Sequence, residues 1–143
     1  MRLLIHRHIG VRAEGMILAA GIWCLVGLGV LTGPTPVLIP SVWHLLIPPP
    51  VTAAIWISTG LAGAAMAPFR RASEAGLVLL LIAPALRFTS YLWGWLAEVI
   101  PGPPPGDPRG WFSALFYAAM LAFVILLSHI PADVRSPLTG KRT

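Results

Sequence analysis

Residues 79–99, LLLIAPALRFTSYLWGWLAEV, decide how this chain folds. A run of about 20 apolar residues is what the hydrocarbon core of a bilayer asks of a helix. This stretch meets that length with two interruptions, Pro84 and Arg87. Proline donates no amide hydrogen and loosens the carbonyls before it. An arginine near mid-span costs about 2.5 to 3.5 kcal/mol to insert, against roughly 0.3 to 0.6 kcal/mol returned by each well-placed Leu, Ile, Val or Phe. The span predicted over 76–98 therefore inserts with little to spare, and its cation must face protein or water.

The rest of the sequence agrees with a lipid solvent. Of 143 residues, 57% are hydrophobic and only 10% charged, whereas charged residues make up about a quarter of an ordinary soluble domain. Further apolar runs predict three more spans, at 15–31, 51–67 and 111–129. The expected fold is all-α, a single integral membrane domain over 1–143 built as a four-helix bundle, with two helical hairpins as one arrangement of it. Span one is too long for a secretory signal and lacks a small-residue cleavage site after it, so it is read as retained.

Ile-Pro pairs punctuate the runs at Ile39-Pro40, Ile47-Pro48, Ile100-Pro101 and Ile130-Pro131. A residue before proline is driven out of helical geometry, so each pair predicts a boundary. The first two bracket SVWHLL (41–46), a piece too short to span and expected at the membrane interface.

A net charge of +5 would point to nucleic acid in a soluble protein. In a membrane protein the placement of basic residues matters more than their sum, and it argues against a nucleic-acid partner. Arg2, Arg7, Arg12, Arg70, Arg71, Arg135, Lys141 and Arg142 all fall on one side of the predicted spans, Arg109 on the other. That split predicts both termini in the cytoplasm of a bacterial cell, with Trp43, Trp93, Trp95 and Trp111 in the outer aromatic belt.

Small residues recur every fourth position at Ala54, Ser58, Ala62 and at Ala114, Ala118, Ala122. Such rows let helix backbones approach closely in lipid, so spans two and four are expected to pack through them, within one chain or between copies. The halves also echo each other: AEGMILAAGIW (13–23) with SEAGLVLLLIAP (73–84), and WISTGLAGAAMAPF (56–69) with WFSALFYAAMLAF (111–123). A duplicated hairpin would be a parallel repeat of the kind small carriers use.

An intramembrane ionisable residue is a functional hypothesis by default. No carboxylate lies at the depth of Arg87. Its candidate partners are Ser90 and Tyr91 one turn on, Ser58 and Thr59 of span two, carbonyls loosened by Pro84, water, or a group on another molecule. Arg87, Ser90, Tyr91, Ser58 and Thr59 thus form the expected intramembrane polar face.

Chemistry finds little support elsewhere. Cys24 is the single cysteine; it cannot form an internal disulfide and reads as a packed apolar residue. His6, His8 and His129 have neither the spacing nor the carboxylate support of a metal centre. No nucleophile is matched to a base within the spans, and GPPPGDPRG (102–110) is a rigid turn rather than a phosphate loop. No metal, cofactor or enzymatic activity is expected.

In HRHIGVRAEG (6–15), LIAPALRFTSYLWGW (81–95) and GDPRGWFSALFYAAM (106–120) the chain resembles small multi-span membrane proteins of bacteriophages that infect high-GC actinobacteria. The absence of Asn and Gln and the preference for Arg over Lys fit a high-GC source. The resemblance implies a holin-like protein, which oligomerises in the host inner membrane and makes lesions there. The leading expectation is therefore a non-enzymatic, pore-forming homo-oligomer. The competing expectation is a structural or accessory subunit whose Arg87 meets an anionic group on a membrane partner.

Overall fold

The computed structural model describes residues 10–33, 47–100 and 109–131. The interfacial piece with Trp43 and His44, most of the Pro/Gly turn at 102–110, and Arg2, His6, Arg7, His8, Arg135, Lys141 and Arg142 lie outside the described residues. Four α-helices follow in order: α1 Val11–Thr32, α2 Pro49–Met66, α3 Ser73–Val99 and α4 Gly110–His129.

Local chemistry places their ends. The start of α2 follows Pro48, with prolines at its first two positions, where a helix has no use for an amide hydrogen in any case. The amides of Val51 and Thr52 both donate to Pro48 O, at 3.0 and 3.1 Å, so the helix opens with few orphan donors. Ile100 and Ile130 stand in extended geometry just past α3 and α4, as the prolines that follow them require. Helices α1 and α3 begin several residues before the predicted spans, because Arg12, Glu14 and Glu74 extend the helices beyond their apolar cores.

Helices α1, α3 (over Ser73–Ala97) and α4 are long and apolar enough to cross a membrane. Four spans were expected, and α2 is not among these three. It has 18 residues, two of them its opening prolines, and spends Thr52, Ser58, Thr59, Gly60 and Gly63 where a stronger span would carry Leu or Val. All four helices are hydrophobic around much of their circumference. Leu25, Phe112 and Leu126 are 69%, 68% and 66% exposed, an outer surface suited to lipid rather than water.

The helices run alternately up and down. Gly15 of α1 packs against Leu127 of α4, and a Cβ on Gly76 of α3 would stand 2.8 Å from Met16 and 3.0 Å from Met66. One end of the bundle therefore gathers the starts of α1 and α3 and the ends of α2 and α4. At the other end, Gly110 of α4 lies against Tyr91 O and Trp95 of α3. Helix α1 packs along α2, and α3 along α4, with α2 and α3 joining the two hairpins. The core holds Met16, Trp23, Trp56, Leu80 and Val124, each almost fully buried.

The predicted small-residue rows take different places. On α2, Ala54 and Ser58 are exposed and Ala62 is half-buried; the buried residues are Ala53, Trp56, Thr59, Gly60 and Gly63. On α4, Ala114 is buried, Ala118 half-buried and Ala122 exposed. Within the chain α2 and α4 meet through the rings of Trp56 and Tyr117, 6.0 Å apart. Close backbone approach occurs instead between α1 and α2. A Cβ on Gly60 would stand 2.9 Å from Ala20 O, and one on Gly27 3.0 Å from Ala53 O.

Candidate functional site

Arg87 lies 14 residues after the start of α3 and 12 before its end, hence roughly 20 Å from either terminus at about 1.5 Å per residue. Pro84, one turn earlier, sets the local architecture. With no amide hydrogen on Pro84, the carbonyl of Leu80 loses its helical partner. The indole Nε1 of Trp23, reaching over from α1, donates to that oxygen at 2.9 Å. Both residues are buried, so an unfilled carbonyl here would carry its full desolvation penalty. Leu80 O was one of the carbonyls available in principle to Arg87; the structure assigns it to Trp23.

From Trp23 a chain of rings crosses the bundle. Trp23 meets Trp56 edge-on at 5.5 Å, Trp56 meets Tyr117 at 6.0 Å, and Tyr117 stacks on Tyr91 at 5.6 Å with planes 10° apart. One aromatic from each helix thus ties all four together. Offset and edge-on pairs of this kind add about 0.5 to 1.5 kcal/mol each beyond area burial. Tyr91, one turn beyond Arg87 on the same face of α3, is held by this chain.

Arg87 itself is half-buried and lines a small cleft of about 30 Å³ between α2 and α3. Ala83, Leu86 and Ser90 of α3 form one wall, and Thr52, Ile55 and Trp56 of α2 the other, with Ile47 at the mouth. Ser90, which lines the same cleft as Arg87, is 3% exposed. The space accommodates a water molecule or two, since one water needs about 10 to 15 Å³ measured this way.

The expected polar face is only partly assembled. Ser90 shares the cleft with Arg87. Ser58 and Thr59 do not reach it: Ser58 is exposed, and both hydroxyls donate back to Ile55 O, at 3.3 and 2.7 Å. The reason is register. In an antiparallel pair joined at Phe69 and Arg70, equal counts from the turn bring Thr52, not Ser58, level with Arg87. Thr52 and Trp56 are the cleft residues that the sequence reading missed, and that count was the signal available for finding them.

The charges elsewhere follow the end-to-end arrangement. Glu14 and Glu74 stand in the first turns of α1 and α3, far along the bundle from Arg87. His129 is exposed at the end of α4, its Nδ1 2.9 Å from Ile125 O. No group of three His, Cys, Asp or Glu side chains gathers among the described residues.

These features define a class: over the described residues, an all-α arrangement of four helices, three of them long and apolar enough to cross a membrane, with a small cation-bearing cleft between α2 and α3. No protein-family model, curated protein or solved structure matches the chain.

Proposed function

We propose that the chain is a non-enzymatic integral membrane subunit that docks an acidic side chain of another membrane helix in the Arg87 cleft. The observation behind this reading is the distance, among the described residues, between Arg87 and the ends of the helices where the glutamates stand. Arg87 lies midway along α3 beside Ser90 and Thr52, while Glu14, Glu74 and Glu98 all lie near helix ends. A carboxylate supplied by a partner at mid-depth converts a half-buried intramembrane cation into a charge-assisted pair. The apolar outer surface supports a bilayer setting for the bundle, and the one-sided basic residues of the sequence support cytoplasmic termini in a bacterial inner membrane.

A second reading is a holin-like pore made from copies of this chain, as the resemblance to phage proteins implies. What favours it is the outward face of α2, where Ala54 and Ser58 are exposed and a second copy can approach closely. The docking reading ranks first because Arg87, Ser90 and Thr52 share one small cleft, whereas a water-filled lumen needs a continuous polar stripe along the bundle.

The test uses a synthetic Leu-rich span bearing one central Glu, with Gln and Leu versions as controls. Energy transfer from the labelled full-length protein in lipid bilayers is expected for the Glu peptide only, and to be lost in Arg87→Leu. Equal transfer to the Leu peptide would overturn docking by charge. Induced expression separates the second reading: timed collapse of the host membrane potential by the wild-type chain favours the pore.

A further inference from the structure

Positive charge also collects where α1 and α3 begin and α2 and α4 end. The packing of Gly15 on Leu127 and of Gly76 on Met16 and Met66 brings the first turn of α1 level with the α2–α3 turn. In that first turn, one helical turn before Met16, Arg12 is only 9% exposed. Its Nε is a buried nitrogen with no hydrogen-bond partner. The α2–α3 turn carries Arg70 and Arg71, both exposed, which with Glu74 border an open depression at the same end.

A buried guanidinium nitrogen without a hydrogen-bond partner is costly, and an anion met by the group's other nitrogens offsets part of that cost. Glu14 is two residues from Arg12, a spacing that turns side chains to different faces of a helix. The first turn of a helix also bears partial positive charge from its unsatisfied amides, so this is a poor place for a buried cation and a good one for an anion. At the cytoplasmic face of a bilayer the anion at highest local concentration is the phosphate of an acidic phospholipid.

We propose that this end of the bundle binds the headgroup phosphate of an anionic phospholipid on Arg12, with Arg71 of the α2–α3 turn supplying a second positive charge. The guanidinium offers the planar, forked donors that match phosphate oxygens. The burial of Arg12 makes the site fixed rather than a diffuse basic surface. The site is separate from the Arg87 cleft, but it rests on the reading of the bundle as bilayer-embedded.

The test reconstitutes the full-length chain in phosphatidylcholine bilayers with and without phosphatidylglycerol, followed by gentle extraction and native mass spectrometry of retained lipid. Wild type is expected to retain phosphatidylglycerol in preference to phosphatidylcholine. Arg12→Gln and Arg71→Gln should each weaken that preference by at least about fivefold, the scale of one basic residue at an anionic surface. Arg12→Lys should keep part of it, and Arg109→Gln, at the opposite end, should keep all of it. Unchanged preference in Arg12→Gln overturns the site. Displacement of the lipid by inorganic phosphate at similar concentration overturns its assignment to a headgroup. A chain that fails to enter bilayers refutes the membrane reading and the site together, whereas one that inserts without lipid preference refutes the site alone. Arg71→Gln, an exposed change, keeps the test decisive should Arg12→Gln fold poorly.

Discussion

Pro84 and Trp23 show how one residue's deficit is met by another far away in sequence. The missing amide at Pro84 leaves Leu80 O without a helical donor, and Trp23 Nε1 fills the vacancy from α1. Trp23→Phe keeps a ring against Trp56 but removes the donor, and should cost about 1 to 3 kcal/mol for an orphaned buried acceptor. Pro84→Ala restores a backbone donor to the same carbonyl. The penalty of Trp23→Phe should therefore shrink in the Pro84→Ala background, with a coupling of about 0.6 to 1.7 kcal/mol, the range found for hydrogen bonds between membrane helices. Thermal unfolding of the four variants in micelles measures it. An equal penalty in both backgrounds would mean that Trp23 contributes packing alone.

At the scale of elements, α2 depends on its neighbours more than the other helices do. It is short and comparatively polar, and α1 approaches it across Gly60 and Gly27. A Cβ on Gly60 meets a backbone oxygen, Ala20 O, at 2.9 Å, which cannot move without shifting α1 itself. Gly60→Ala should thus destabilise the protein by about 1 to 3 kcal/mol, as overpacking does. Gly21 has no neighbouring atom within 4 Å of such a Cβ, so Gly21→Ala should be neutral or stabilising by up to about 1 kcal/mol through helix propensity. Denaturation midpoints in the same micelle distinguish the two. The reverse order would mean that α1 and α2 do not pack through this face. The row Ala54, Ser58, Ala62 has the same composition, yet Gly60 and Gly63 face inward, because neighbouring rows of small residues on one helix look alike until a partner surface is present.

For the whole molecule, the alternation of helices and the one-sided basic residues predict a definite orientation. In a chain with Cys24 replaced by Ala, a single cysteine at position 71 should be protected from impermeant reagents added to intact cells, and one at position 109 should be labelled. Labelling of position 71 with protection of position 109 would invert the topology and, with it, assign the lipid site to the other leaflet.

The helical class and the approximate extents of all four helices were legible in the sequence because apolar run length and Ile-Pro punctuation are local signals. That Glu14 and Glu74 stand in first turns, far along the bundle from Arg87, was legible too, since the sequence puts them at the edges of the apolar runs. Which residues join Arg87 was not. Ser90 followed from helical periodicity within α3, but Thr52 and Trp56 depend on the register between α2 and α3. Likewise Pro84 announced an unsatisfied carbonyl, whereas only the packing of α1 against α3 decided that Trp23 would supply its donor. Periodicity within a helix is written residue by residue along the chain; the rotation and register of one helix against another are settled by the fit of all four surfaces at once, and that fit exists only in the tertiary structure.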